Sequence, residues 1–170
     1  TDLVRQLQAR TVKRHYLALV HGEPPPSGEV NAPIGRHPVQ RTKMAVVPGG
    51  REALTRYRIV ERFARATLVE CELATGRTHQ IRVHLASQGH AIAGDEKYGD
   101  FDLNRRLHRH GLKRMFLHAW RLQFNHPASG ARTDGVVVYA VDPHSHRNRF
   151  FSHAKRSAKT AAFVYPVELD

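Results

Sequence analysis

Cysteine is almost absent from this 170-residue sequence, and long apolar runs are absent altogether. The single cysteine, Cys71, excludes an internal disulfide framework and any metal cluster built from cysteine alone. A chain of this kind suits a reducing compartment, so we expect the protein in the cytoplasm. No apolar run reaches the length of about 18 residues that a transmembrane helix needs. We therefore expect no association with a membrane.

Acidic residues are also few, which leaves the chain strongly positive. There are 27 lysines and arginines against 15 aspartates and glutamates, so the net charge is +12 and the pI is near 10.7. A field of this sign favours polyanionic partners, of which nucleic acid is the commonest. A basic surface that only maintains solubility is the alternative that charge alone leaves open.

Histidine, in contrast, is abundant, with 13 residues. Histidine clusters can bind metal ions, but neither a His-Glu-x-x-His motif nor paired cysteines accompany these residues. We therefore predict no metal site.

Hydrophobic periodicity and turn residues indicate one α+β domain. Residues 2–9 have the spacing of a short helix. Strand patterns cover residues 15–20, 30–34, 44–47, 55–63, 69–73, 116–124 and 136–141. A glycine- and proline-rich loop over residues 22–28 is not expected to pair in a sheet. Many strands in mostly antiparallel order predict a mixed sheet flanked by helices and loops.

The segment Thr75–Leu85 concentrates basic and imidazole side chains at the start of a helix. Thr78 is a candidate N-cap, and Gly89 stands where a glycine can end the helix. Ile81 and Leu85 fall on a face that can anchor the helix to the sheet. A helix N-terminus attracts phosphate through its free N–H groups and its dipole. From charge pattern alone, a solvated basic helix without a further function remains the alternative.

This segment resembles the signature of the bacterial large-subunit ribosomal RNA pseudouridine synthase family. Other segments match the family in the same order: Lys13–Val20, Pro33–Pro38, Arg41–Val46, Leu54–Ile59, Gly89–Asp95, Lys97–Gly99, Phe116–Ala119 and Phe124–Pro127. The resemblance implies the family's catalytic fold for residues 1–142. Residues 143–170 do not match, and we expect them to form a divergent, basic, histidine-rich tail.

The nucleophile of the family is missing from this match. In the family it is an aspartate in a His-Arg-Leu-Asp type motif, upstream of the tyrosine strand. Nothing before Tyr16 matches that motif, and Asp2 lacks the surrounding residues. We reject Asp95 and Asp100 as replacement nucleophiles, because both fall in segments that read as structural turns. We therefore expect a catalytic domain that is incomplete at its N-terminus and inactive by itself.

The family resemblance implies an isomerase that converts uridine to pseudouridine in large-subunit ribosomal RNA. The bond between uracil N1 and ribose C1′ breaks, the base turns, and C5 joins C1′. No oxidation and no net hydrolysis occur, so no cofactor is expected. The base must first leave the stack, because its atoms cannot be reached inside a duplex. The implied partner is RNA, and we expect the protein to be a monomer.

The resemblance also implies roles for individual residues. Tyr16 would stack on the uracil and assist removal of the C5 proton; the alternative is a strand aromatic that only packs the core. Arg82 would pair with the nucleophilic aspartate from outside this sequence. Ile81 and Leu85 would wall the pocket or pack the core.

Seven further residues are expected to contact the RNA backbone: Arg77, His79, Gln80, Arg36, His37, Arg41 and Lys43. Single-stranded loops of RNA present splayed bases and accessible phosphates, which suit this set. The alternative function is an RNA-binding module without catalysis, in which the basic face alone is the function.

Overall fold

The computed structural model describes residues 2–137 and 162–163. The elements are α1 (Asp2–Gln8), β1 (Lys13–His21), β2 (Ser27–Asn31), β3 (Ile34–Arg36), β4 (Met44–Val46), β5 (Leu54–Arg62), β6 (Ala66–Leu73), α2 (Gln80–Ser87), α3 (Phe101–Arg109), β7 (Leu117–Asn125), β8 (Arg132–Val137) and β9 (Ala162–Phe163). The expected α+β class with a mostly antiparallel sheet is confirmed. The predicted boundary at residue 142 lies outside the described residues.

Two compact units divide the chain, and the larger one comprises residues 15–118. Its main sheet has the strand order β2-β5-β6-β1, and β3 pairs with β4 in a separate hairpin. On one face Tyr57 lies opposite Cys71. On the other face Arg56 lies opposite Glu29 on one side and Glu72 on the other. Cross-strand pairs of opposite charge stabilise such a register.

Helix α2 packs its apolar residues onto the sheet, as the spacing of Ile81 and Leu85 predicted. Both side chains belong to a buried cluster with Val20 and Val69, and Tyr16 packs against it. A smaller buried cluster consists of Ile34, Ala53 and Val83, with Met44 and Tyr98 packed against it. The helix is therefore attached to the rest of this unit through two sets of apolar contacts.

Proline positions explain where the strand predictions near residue 30 were wrong. The loop over residues 22–28 does pair at its end. Ser27 and Gly28 belong to β2 and lie opposite Arg58 and Tyr57 of β5. The three prolines end at residue 26, so the N–H groups of the next residues remain available to the sheet. The single strand predicted over residues 30–34 is instead divided between β2 and β3, with Pro33 between them.

Strand β6 is more deeply buried than its alternating pattern predicted. Val69, Cys71 and Leu73 alternate with Glu70 and Glu72, a pattern typical of a strand with one solvent face, yet Glu70 is 4% exposed. Its carboxylate contacts Nη2 of Arg58 on one neighbouring strand and Nδ1 of His15 on the other, the latter at 3.1 Å. Side chains from both neighbouring strands thus cover a residue that a single strand's pattern leaves exposed.

The second unit comprises residues 1–14 and 119–170. Strands β7 and β8 form an antiparallel hairpin, and β9 joins β8 in parallel. Strand β7 ends at Asn125, close to the predicted residue 124, whereas β8 begins at Arg132, before the predicted residue 136. In α1, the Gln6 side chain donates to the carbonyl of Asn125 at 2.7 Å and accepts from its N–H at 2.9 Å.

Among the described residues, no helix has both the length and the apolar character needed to cross a membrane.

Glycine at position 94 is required by a close backbone approach as well as by its conformation. Its φ is +76°, and an added Cβ would lie 2.3 Å from the carbonyl oxygen of Arg114. Gly89 has a similar φ of +80°, but nothing lies within 4 Å of an added Cβ. A side chain at Gly89 would therefore meet backbone strain alone, whereas a side chain at Gly94 would meet backbone strain and a steric clash.

We expect Gly94→Ala to lower the free energy of unfolding by about 3 kcal/mol, because conformational strain and overpacking add. Gly89→Ala, the matched control, should cost only the strain, about 1 kcal/mol. Urea-induced unfolding of the 170-residue chain measures both. Equal losses for the two variants would contradict the close approach at Gly94.

Candidate active site

The helix that carries the basic segment begins at Gln80, one residue later than a Thr78 cap requires. The N-cap is His79, whose backbone is left-handed with φ 55° and whose side chain makes no capping bond. The prediction for Thr78 was therefore wrong. At the other end, Gly89 adopts a positive φ of 80° and donates its N–H to the carbonyl of Ala86, as predicted for a terminal glycine.

Gln80 faces the interior, so the prediction that it contacts RNA was wrong. The residue is 3% exposed. Its Oε1 accepts from the Thr75 hydroxyl at 2.7 Å and from the Arg77 N–H at 2.9 Å. Its Nε2 donates to the Leu54 carbonyl at 3.0 Å and to the Thr55 hydroxyl at 2.9 Å. A carboxamide with both atoms engaged in this way ties the helix start to β5 and leaves no group for a ligand.

In the first turn of the helix, Arg82 forms a bidentate ion pair with Asp95. Its Nε donates to Oδ2 at 2.8 Å and its Nη2 donates to Oδ1 at 2.9 Å. The guanidinium carbon also lies 4.8 Å from the centre of the Tyr98 ring. The carboxylate thus holds one edge of the guanidinium while the aromatic ring covers a face.

Asp95 is a buried, ionised carboxylate with a full set of donors. It is 1% exposed, and its Oδ1 also accepts the N–H groups of Lys97 at 2.9 Å and Tyr98 at 3.1 Å. Burial alone would raise the pKa of this carboxyl, but the hydrogen bonds from Arg82 and the two backbone N–H groups bring it below the ordinary value. The same pair raises the pKa of Arg82. Asp95 is therefore a partner of Arg82 and is too enclosed to act as a nucleophile.

The turn that presents Asp95 is held by Asn104 of α3. The Asn104 Oδ1 accepts the Gly94 N–H at 2.8 Å, and its Nδ2 donates to the Asp95 carbonyl at 2.9 Å. Asp100 accepts the Leu103 N–H at 3.0 Å and caps α3. Both acidic residues therefore have structural partners, which agrees with their rejection as nucleophiles.

Only part of the Arg82 hydrogen-bonding capacity is used. A guanidinium has five N–H groups. Asp95 takes the Nε–H and one Nη2–H, which leaves three N–H groups at the Nη1–Nη2 end. Within residues 2–137, no side chain or carbonyl accepts from them. This end has the fork geometry that binds a second carboxylate or a phosphate.

The basic residues expected to contact RNA, Gln80 apart, lie in two places. The first place is the end of β3 and its connection to β4, which we call the basic loop (residues 36–43). It contains Arg36, His37, Arg41 and Lys43. Arg36 and Arg41 are exposed, and the Arg36 guanidinium donates to the carbonyl of Arg41 at 3.2 Å. The His37 Nδ1 accepts the N–H groups of residues 39 and 40 at 3.2 and 3.0 Å, which shapes the turn.

The second place is the start of α2. Arg77 donates its Nε–H to the carbonyl of Glu52 at 2.8 Å, and within residues 2–137 its terminal nitrogens have no acceptor. His79 is half-buried. Burial lowers the pKa of its imidazole, and the positive charges of Arg82 and Lys97 lower it further, against a smaller opposing effect of Asp95. His79 is therefore an uncharged hydrogen-bonding group at neutral pH.

The three apolar or aromatic residues expected near the base share one cluster. Ile81 and Leu85 are 4% and 2% exposed. They are members of the larger core cluster, and the half-buried Tyr16 packs against it. Strand β1 and helix α2 therefore support these side chains through the same set of contacts.

Sequence reasoning did not predict Asp95, Tyr98 or Asn104 as neighbours of the site. Asp95 and Tyr98 do lie in segments that resemble the family, which was the available signal. In the part of the chain that the structure describes, no three histidine, cysteine, aspartate or glutamate side chains are grouped to hold a metal ion.

The family model described as RNA pseudouridylate synthase matches residues 1–87, a stretch that contains Tyr16, Arg82 and all of α2. This match covers half of the chain. The chain belongs to the RNA pseudouridylate synthase family. Members of this family are isomerases that act on RNA.

Two curated relatives illustrate the similarity. The chain is 57% identical over 133 residues to ribosomal large subunit pseudouridine synthase D of Nitrosomonas europaea, covering 76% of this chain and 38% of that protein. It is 53% identical over 129 residues to an uncharacterized RNA pseudouridine synthase of Chloroflexus aurantiacus, covering 76% and 39%. The chain thus spans less than half of the length of these relatives.

Solved structures of the same family have a similar fold. Human RNA pseudouridylate synthase domain containing 1 superposes with a TM-score of 0.67 at 27% identity, covering 82% of this chain and 58% of that one. Human RNA pseudouridylate synthase domain containing 4 gives a TM-score of 0.64 at 25% identity, covering 91% and 65%.

The ion pair between Arg82 and Asp95 should stabilise the fold measurably. We expect Asp95→Asn to lower the free energy of unfolding by about 3 kcal/mol, because it leaves a largely buried guanidinium without its counter-charge. Glu29→Gln is the control: its pair with Arg56 is about half exposed on both sides, so the loss should stay below about 1 kcal/mol. Urea-induced unfolding at neutral pH measures both losses.

The same comparison has a defined pH dependence. Because the folded pKa of Asp95 lies below 3.8, the charged pair stabilises the fold above that pH, and its contribution is lost as pH falls through the folded pKa. The stability difference between wild type and Asp95→Asn should therefore be constant above about pH 5 and shrink in stronger acid. A difference that is unchanged at about pH 2 would contradict the assignment.

Proposed function

We propose that this chain forms part of an enzyme that converts uridine to pseudouridine in large-subunit ribosomal RNA, with Arg82 oriented to hold a nucleophilic carboxylate. That carboxylate comes from a segment outside this sequence. The names of several relatives, which are ribosomal large subunit pseudouridine synthases, support the choice of substrate.

The observation that carries the proposal is the unused end of Arg82. Asp95 binds one edge of the guanidinium and fixes its direction, while three N–H groups remain at the other end. A second carboxylate at this end would be held in a bidentate geometry and kept ionised by the adjacent charge. Asp95 cannot fill both roles, because its own oxygens are already occupied.

In the proposed reaction the ionised carboxylate acts on C1′ or on the neighbouring 2′ position of the ribose. The N1–C1′ bond breaks, the uracil turns, and a bond forms between C5 and C1′. C5 then loses its proton and N1 gains one, so the product is an isomer of the substrate. Arg82 acts by orienting the carboxylate and by favouring its charged form.

Tyr16 is the proposed stacking partner of the flipped uracil and assists removal of the C5 proton. Its half-buried position against the core cluster supports this role, because the cluster fixes one side of the ring. Ile81 and Leu85 would support the pocket from the same cluster. Stacking on a fixed aromatic ring offsets part of the free energy needed to extrude the base.

The basic loop, together with Arg77 and His79, is proposed to bind the RNA backbone. The two exposed arginines of the loop and the terminal nitrogens of Arg77 are suited to phosphate oxygens. His79 would donate a hydrogen bond as an uncharged group. Phosphate contacts of this kind set the position of the RNA strand on the protein and its binding affinity, while the flipped base is recognised in the pocket.

The second candidate function is an RNA-binding module without catalysis. The exposed basic loop favours it, because backbone binding needs only positive charge at the surface. The two functions differ in what Arg82 does: it is essential for an isomerase and one charge among many for a binding module.

We expect the isolated 170-residue chain to form no pseudouridine, and the full-length protein that contains it to form pseudouridine in transcribed large-subunit ribosomal RNA. In the full-length protein, Arg82→Ala should reduce the rate by about 10²-fold or more, because it removes an orienting charge next to the nucleophile. RNA affinity should change only a few-fold, since one charge is lost among many. Pseudouridine formation and RNA binding are measured on the same preparations.

Arg56→Ala is the matched control, because it removes the same charge from an exposed pair on the sheet. It should leave the rate near that of wild type. Turnover by the isolated chain would overturn the proposal that the nucleophile lies outside it. Full activity of Arg82→Ala would contradict the orienting role of Arg82. RNA binding without pseudouridine formation by the full-length protein would favour the module without catalysis.

A further inference from the structure

Tyr98 has contacts that the proposed mechanism does not use. It follows Asp95 by three residues, in the turn between α2 and α3, and is half-buried. Its side chain packs against the cluster of Ile34, Ala53 and Val83. The ring therefore has apolar neighbours, while its hydroxyl and one face meet polar groups of the site.

The ring face restrains the guanidinium of Arg82. The guanidinium carbon lies 4.8 Å from the ring centre, within the range of a cation–π contact. Asp95 fixes the direction of one edge of the guanidinium by two parallel bonds. An edge contact and a face contact together determine both the direction and the plane of the group. Loss of the ring would leave the plane free to tilt.

The hydroxyl of Tyr98 reaches the end of the basic loop. It accepts the N–H of Met44 at 2.9 Å. Met44 is the first residue of β4 and directly follows Lys43, the last residue of the loop. Met44 lies opposite Arg36, so the bond holds the point where the two ends of the loop meet.

The same hydroxyl also restrains His79. The Nδ1 of His79 lies 2.8 Å from the Tyr98 oxygen, and the two rings meet edge to face. Since Met44 donates to the oxygen, the hydroxyl hydrogen is available to an uncharged His79 Nδ1. The backbone of His79 is left-handed, with φ 55°, which a residue other than glycine adopts only when its surroundings hold it there.

We propose that Tyr98 is a positioning residue that connects the basic loop and His79 to the orientation of Arg82. This role of Tyr98 rests on the proposed function, because the orientation of Arg82 matters only if Arg82 holds the nucleophile. One side chain contacts all three: its oxygen meets Met44 and His79, and its ring meets Arg82. RNA bound at the loop is thereby coupled to the geometry of the catalytic group.

Two substitutions in the full-length protein separate the hydroxyl from the ring. Tyr98→Phe keeps the ring and removes both hydrogen bonds, so KM should rise about 3- to 10-fold while kcat stays within about 3-fold of wild type. Tyr98→Leu also removes the ring face, so kcat should fall about tenfold or more in addition. Steady-state pseudouridine formation on transcribed large-subunit ribosomal RNA gives both constants.

Tyr57→Phe is the matched control. It removes a hydroxyl from another half-buried tyrosine. The ring of Tyr57 packs against the larger core cluster, and its hydroxyl end lies next to Gly28 of β2. Both of its kinetic constants should equal those of wild type. If the role of Tyr98 were purely structural, both substitutions would lower the folded fraction and the melting temperature. They would not change KM in one variant and kcat in the other.

The proposal is overturned if Tyr98→Phe matches Tyr57→Phe in both constants, or if Tyr98→Phe lowers kcat as much as Tyr98→Leu does. If Tyr98→Leu does not fold, the KM of Tyr98→Phe decides alone. Wild type and Arg82→Ala are assayed alongside. An inactive wild type would defeat the proposed function itself, whereas active wild type with unaffected Tyr98 variants would defeat only the role of Tyr98.

Discussion

The bidentate pair between Arg82 and Asp95 is the interaction on which the organisation of the site depends. A buried carboxylate is unfavourable unless donors surround it, and Asp95 obtains them from Arg82 and two backbone N–H groups. The turn after α2 supplies these two backbone N–H groups, so its conformation must direct them at the Asp95 carboxylate. Asn104 holds the turn from α3, and Gly94 permits its close approach to the neighbouring backbone. The pair thereby joins helix, turn and site in one arrangement.

A second consequence concerns the direction of the arginine. Arginine side chains are long and flexible, so a catalytic arginine needs restraints to present its fork reproducibly. Here the restraint comes from a carboxylate along one edge and the Tyr98 ring on a face. The Nη1–Nη2 end is then ordered before a second acceptor binds. In the proposed reaction this preorganisation lowers the entropy lost when the nucleophile is held.

Local features of the sequence were predictable, and features that depend on distant partners were not. The strands, the terminal Gly89 and the anchoring of α2 by Ile81 follow from periodicity and turn chemistry. Gln80 was misassigned because helix periodicity does not show that its carboxamide bonds to β5. The partner of Arg82 lies 13 residues away across a turn, and neither spacing nor charge pattern identifies it. The family resemblance identified Arg82 but not the carboxylate that orients it.

The most direct test asks whether Asp95 acts through Arg82. A double-mutant cycle in the full-length protein would compare rates of pseudouridine formation for Arg82→Ala, Asp95→Asn and the double variant, each corrected for its folded fraction. If Asp95 serves to orient Arg82, the two effects are not additive, and Asp95→Asn causes no further loss once Arg82 is absent. Fully additive losses would show that the two residues contribute independently and would contradict the central role of the pair.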